Sequence, residues 1–303
     1  MPTVLIGGGT GLVGSRLSER LEAKGYTVLH LSRTANLAAR FPAYHWDVEA
    51  GTIDPEAVKQ ADYVINLAGA GIADKPWTQA RKELIISSRT ETTALLRRSF
   101  TDLEHRPQAF ISGAAIGYYG DRGDTVLTEE AQPGEGFLSE SCVAWEKAIE
   151  QVSATGIRTV GIRIGVVLTP KGGALEKMLL PLKAGVSTYF GSGKQWYSWI
   201  HIDDLCDLFI HALEQGSMQG FYNGVAPNPV RNKELARTLL SASAKKGLVL
   251  PAPAFVLRIA MGEMADVVLQ STRVSSEKTE HTGFIFQYPE LEPALVDLFD
   301  GRH

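Results

Sequence analysis

A doubly wound parallel α/β sheet is predicted by three features: a glycine-punctuated turn that closes the first apolar run, a series of short β-branched runs after it, and helical spacing between them. The expected strands are Thr3–Ile6, Thr27–Leu31, Tyr63–Leu67, Ala109–Ser112 and Arg158–Ile164, separated by helices near Leu12–Lys24, Thr78–Phe100 and Glu140–Ala154. Beyond Val167 this regularity fades into a glycine-rich stretch, Lys171–Gly193. An amphipathic helix follows from about Asp203, with Asp203 or Asp204 in the position of its amino cap. The tail, from Leu250 to Leu298, is punctuated by proline and has apolar residues at packing intervals. The predicted division is a dinucleotide-binding domain over residues 1–247, with lobe insertions near 168–200 and 216–233. Residues 248–303 would form a small α+β lobe over the cleft.

Composition narrows the function. The 303 residues carry a formal net charge of −4, with no basic run to neutralise a phosphate backbone, so no nucleic-acid partner is expected. Two cysteines, Cys142 and Cys206, give neither a disulfide framework nor a zinc site, and no metal is expected. The start of the chain runs directly into an apolar strand, and the apolar stretch around Val160 to Leu168 is too short to span a bilayer. A cytoplasmic protein with no membrane partner is the expectation.

The first turn reads Gly7-Gly8-Gly9-Thr10-Gly11-Leu12-Val13-Gly14, with Gly8, Gly11 and Gly14 at Gly-x-x-Gly-x-x-Gly spacing. A tight turn needs backbone angles open to glycine, a pyrophosphate must reach the backbone, and the helix must pack without a Cβ at its start. The helix amino terminus then offers unpaired N–H groups to phosphate. This is the Rossmann dinucleotide signature in its expected setting, between a strand and a helix. The next strand ends in Ser32-Arg33 where an NAD enzyme places an acid for the ribose 2′-hydroxyl. A guanidinium and a hydroxyl suit a 2′-phosphate instead, so NADP(H) is the expected cofactor. Leu67, Ala68 and Gly69, after Asn66, leave room for a ribose or nicotinamide, and Asp47 is a candidate for the adenine amino group.

These residues resemble the extended, or atypical, short-chain dehydrogenase/reductases, the group that includes nucleotide-sugar epimerases. More closely, the chain resembles the sugar-epimerase-like family with a small domain of unknown function at its carboxyl end. The resemblance rests on the collinear segments Gly8–Gly14, Asn66–Gly69, Ser87-Ser88-Arg89, Gly117-Tyr118-Tyr119-Gly120, Trp145-Glu146, Gly191–Trp196, Ser198–Asp204 and Ala226–Val230. It implies that Ser32, Arg33, Leu67, Ala68 and Arg89 contact the cofactor. By analogy, the helices near Thr78–Phe100 and Glu140–Ala154 would form a homodimer.

The superfamily's catalytic tyrosine has a lysine four residues on, which lowers its pKa on the same helix face. None of the nine tyrosines here has that lysine. Aligned on the family's helix, Leu138 takes the tyrosine's place and Cys142 the lysine's. The upstream hydroxyl position falls on Ala114 or Ala115, leaving Ser112 as the nearest hydroxyl. Tyr118 or Tyr119 is the preferred substitute proton donor, and a Cys142 nucleophile is a second route. Arg163, Lys194, Trp196 and Trp199 are candidates for a ring-bearing or anionic substrate. The expected function is an NADP(H)-dependent oxidoreductase or epimerase-like enzyme acting on a small polar or carbonyl substrate. The alternative is an NADPH-binding regulatory or scaffold protein that turns nothing over.

Overall fold

The computed structural model describes residues 1–101 and 106–301. Its centre is an eight-stranded sheet whose first strand, Thr3–Gly7, lies between Thr27–Ser32 on one side and Tyr63–Asn66 on the other. From Thr27–Ser32 the sheet continues through Ala43–Asp47 to the short antiparallel edge Thr52–Ile53. From Tyr63–Asn66 it continues through Ala109–Ala115 and Arg158–Ile164 to Gly220–Gly224, all parallel. The reversal of strand order beside Thr3–Gly7 opens a crevice at the carboxyl edge, where an open α/β sheet holds its ligand. Val4, Leu5, Ile6, Val64, Ile65, Phe110, Ile111, Val160 and Ile162 are completely buried, as strands covered by helices on both faces require.

Helix Leu12–Ala23 packs on helix Ile202–Glu214, and the seam is held by Arg16 to Asp203 at 2.7 Å and by Arg20 to Asp207 at 2.5 Å. That pairing overturns the expected cap. His201 caps the helix instead, its Nδ1 accepting the Asp203 N–H at 3.1 Å, while Asp204 accepts the N–H groups of Gln287 and Tyr288 at 2.8 and 2.9 Å. The stretch 171–193 is not irregular: it forms helix Gly173–Leu182 and strand Val186–Phe190, the latter pairing with Leu248–Ala252. Phe284 and Phe286 are buried around an exposed Ile285, in a loop. Among the described residues, no helix is long and apolar enough to cross a membrane.

Candidate functional site: a glycine cradle beside a missing dyad

Gly8 sits at φ +82°, and a Cβ there would stand 2.8 Å from the Leu67 carbonyl carbon and 2.9 Å from the Ala68 nitrogen. The glycine turn and the Leu67–Gly69 loop therefore meet backbone to backbone. Gly14 allows the helix to close against the turn, since its Cβ would fall 2.2 Å from the Gly8 oxygen. Gly9 lies on the ring of buried His30, 2.4 Å from where a Cβ would be. Helix Leu12–Ala23 starts after Gly11 with no side-chain cap and no acid in its first turn. Thr10 beside its amino terminus is exposed, and Leu12 and Val13 in its first turn are half-buried.

The cradle is held from behind by residues whose role the sequence did not disclose. Asn66 donates through Nδ2 to Thr93 Oγ1 at 3.1 Å and accepts the Ala68 N–H at 3.2 Å. Ser88 accepts the Ala70 N–H at 2.9 Å. The long helix Gln79–Ser99 thus sets the position of the Leu67–Gly69 loop. On that helix, Arg89 reaches across Gly69, whose Cβ would stand 3.1 Å from the Arg89 Cζ. At the end of Thr27–Ser32, Arg33 is exposed, and the Ser32 hydroxyl accepts the Thr34 N–H at 3.3 Å. Asp47 Oδ1 accepts the Ala50 N–H at 3.0 Å, closing a turn.

The other half of the crevice differs. Helix Phe137–Ser153 buries Leu138, Cys142, Trp145 and Glu146 on one face. Leu138 has no ionisable group, and burial pushes the Cys142 thiol up to about 12, so at neutral pH it is neither a lysine-like cation nor a thiolate nucleophile. The Ser112 hydroxyl is buried within the sheet, its one proton facing the carbonyls of Gly113 at 2.9 Å and Asn66 at 3.4 Å.

Arg163 does not reach toward a substrate. It is 3% exposed, forms a bidentate pair with Glu146 at 2.7 and 2.8 Å, and donates to the Tyr119 hydroxyl at 2.8 Å and the Glu129 carbonyl at 3.1 Å. Burial opposes the guanidinium's charge, but the Glu146 bonds outweigh it and hold its pKa above the ordinary value. Tyr119 is fully buried and donates to Asn223 Oδ1 at 2.7 Å, with its pKa pushed up to about 12 by burial. Its one proton is committed inside the network. Tyr118 is half-buried, with its ring 3.8 Å from the Arg163 Cζ.

The proposed substrate residues separate. Trp199 is fully buried and donates to the Asn228 carbonyl at 3.0 Å, which makes it a core anchor. Exposed Lys194 lines an open groove of about 1050 Å³ together with Lys233, Arg237 and Arg258. Trp196, two residues on, has the guanidinium groups of Arg231 and Arg273 at 4.1 and 4.5 Å from its ring and donates its indole N–H to Asp124 at 2.9 Å.

Residues 4–223 match the NAD dependent epimerase/dehydratase family, and residues 252–298 match a domain of unknown function, DUF1731. The chain belongs to the NAD dependent epimerase/dehydratase family. Among its relatives, an epimerase family protein of Mycobacterium tuberculosis is 36% identical over 293 residues, 96% of each chain. The epimerase family protein YfhF of Bacillus subtilis is 36% identical over 297 residues, 97% of each chain. The crystal structure of the human epimerase family protein SDR39U1 with NADPH superposes with a TM-score of 0.89, at 33% identity and 99% coverage of both chains.

Proposed function

We propose that the protein is an NADP(H)-dependent oxidoreductase or epimerase-like enzyme acting on a small polar or carbonyl substrate. The observation that carries this reading is the glycine turn, packed so closely that a Cβ at Gly8 or Gly14 would meet backbone, leading into a helix start with no side-chain cap and no acid in its first turn. Exposed Arg33 and half-buried Ser32 at the adjoining strand end supply a cation and a hydroxyl for a 2′-phosphate, and no acid stands there to bind a ribose diol. The NADPH in the human relative's crystal structure supports the same choice. Gly8–Gly14 and the start of helix Leu12–Ala23 would seat the pyrophosphate, while Leu67, Ala68, Gly69 and Arg89 would line the nicotinamide half. When bound, the cofactor supplies hydride chemistry.

Isothermal titration with NADPH and NADH checks the assignment. Arg33→Glu is expected to weaken NADPH at least about tenfold, the scale of a lost charge-assisted contact, and to leave NADH nearly unchanged. Equal losses for the two would remove the 2′-phosphate assignment. Replacement of the usual dyad by Leu138 and Cys142 favours a second reading, an NADPH-binding protein without turnover. That reading requires tight NADPH binding with no transfer of deuterium from labelled NADPH to any product.

A further inference from the structure

The surface over the ends of strands Tyr63–Asn66, Ala109–Ala115 and Arg158–Ile164 has a polarity that limits what can be reduced on it. Leu67, Ala115 and Ile164 are partly buried apolar groups at those strand ends, and Leu138 and Cys142 close the surface from helix Phe137–Ser153. The Cys142 sulfur lies 3.4 Å from where a Gly117 Cβ would stand, and the Trp145 ring lies 3.5 Å from where a Gly113 Cβ would stand. Three of the acids and hydroxyls nearby are engaged elsewhere: Glu146 with Arg163, Ser139 with the Tyr118 carbonyl, Ser141 with the Leu138 carbonyl.

Besides half-buried Tyr118, whose ring lies on Arg163, two hydrogen-bond donors stand out. The Arg89 guanidinium lies 5.0 Å from the Trp145 ring, and among the described residues its one hydrogen bond runs from Nη1 to the Ile85 carbonyl. The indole N–H of Trp145, 8% exposed, has no acceptor among the described residues. A buried unpaired donor beside a cation marks a place where an acceptor atom of a ligand belongs. A guanidinium stays charged at every physiological pH, so it can stabilise an anion but cannot serve as the proton source.

Building on the NADP(H) reading above, we infer that the substrate class is a quinone, a planar conjugated carbonyl whose reduced form leaves as an aryloxide held by Arg89 and Trp145. A simple ketone that accepts hydride becomes an alkoxide, too basic to persist without a proton delivered in the same step. A quinone removes that requirement. Hydride, one proton with two electrons, forms an O–H bond at one quinone oxygen as the C–H bond of the reduced nicotinamide breaks. The displaced electron pair moves through the ring to the second oxygen, which becomes the aryloxide. The quinone is thereby reduced by two electrons, the nicotinamide is oxidised by two, and water protonates the aryloxide after release. Phenols ionise near pH 10, within reach of a guanidinium's stabilisation, whereas alcohols do not.

The test has an equilibrium arm and a turnover arm. In the NADP⁺ complex, 4-nitrophenol is titrated by its absorbance and 4-nitrotoluene by calorimetry. The phenolate is expected to bind at least about tenfold tighter than its neutral isostere, with its ionisation shifted to lower pH. Arg89→Met abolishes that preference and Arg89→Lys retains part of it. For turnover, menadione is expected to oxidise NADPH with a kcat independent of pH from mildly acid to mildly alkaline, while acetophenone of comparable size does not react. Equal binding of phenolate and isostere, or reduction of acetophenone in preference to menadione, overturns the quinone assignment with NADPH binding intact. Absence of NADPH binding by the wild-type protein overturns the cofactor reading, and this inference with it.

Discussion

At the glycine-loop end of the crevice the shape is made by backbone, whereas over strands Ala109–Ala115 and Arg158–Ile164 it is made by side chains that bond to one another. At Gly8, Gly9 and Gly14 the chain packs so closely that an added Cβ would stand less than 3 Å from another residue. At the other end Arg163, Glu146, Tyr119 and Asn223 form a closed network, every member buried. The first end closes backbone on backbone beneath a helix start with no side-chain cap, and the second closes side chain on side chain. Polar residues near a cleft are therefore not equivalent evidence for a site: what matters is whether their bonding capacity is already filled.

The largest expected effect comes from opening the self-satisfied end. Glu146→Ala leaves the Arg163 guanidinium buried without its carboxylate, at a cost of about 3–5 kcal/mol in denaturant unfolding. The double variant Arg163→Met with Glu146→Leu removes both charges and is expected to regain most of that loss. A cost below about 1 kcal/mol for the single variant would mean that the pair behaves as a solvated surface bridge, and the contrast between the two ends would fail.

The glycine end breaks differently. In Gly14→Ala the new methyl meets the Gly8 oxygen and the Gly9 Cα, both backbone atoms, so no rotamer change relieves it. A cost of about 1–3 kcal/mol is expected from overpacking. NADPH affinity should fall as well, because the turn must shift to accommodate the methyl. Unchanged NADPH binding in a folded Gly14→Ala protein would separate the cradle from the cofactor.

How much of this was legible in the sequence follows the same division. The five predicted strands and the glycine cradle were readable because glycine spacing and β-branched runs act locally, within a few residues of their effect. Strands Ala43–Asp47 and Gly220–Gly224 were missed because their apolar pattern is short and interrupted, as in Tyr44-His45-Trp46-Asp47 and Phe221-Tyr222-Asn223. Arg163 looked like a free cation because its partner Glu146 lies 17 residues away on a helix, and the bidentate bond exists only once that helix packs on the strand. Trp199 and Trp196 share a motif, yet one is core and the other contacts two arginines, a difference that goes with the pairing of Trp199–His201 with Val166–Leu168. Asn66, by contrast, sat inside a recognised segment, and its contact with helix Gln79–Ser99 could have been suspected from a polar residue ending a buried strand.

A smaller effect, confined to acid pH, links the glycine turn to the strand beneath it. His30 Nε2 lies 2.8 Å from Ser18 Oγ, and Ser18 donates its single hydroxyl proton to the Gly14 carbonyl at 2.7 Å. The Nε2 atom must therefore carry the proton and donate to Ser18, which leaves Nδ1 as the atom to be protonated in acid. Burial lowers the His30 pKa below its ordinary value. Because the folded pKa is depressed, the stability contributed by neutral His30 is complete above the unfolded value near 6.5 and is lost as pH falls through the folded one. The expected slope is at most about 1.4 kcal/mol per pH unit, since one proton is involved. Urea unfolding at pH 7, 6 and 5 should show the wild-type protein losing stability toward acid faster than His30→Gln. Parallel profiles would assign the acid sensitivity to other groups and leave the ring under Gly9 as packing alone.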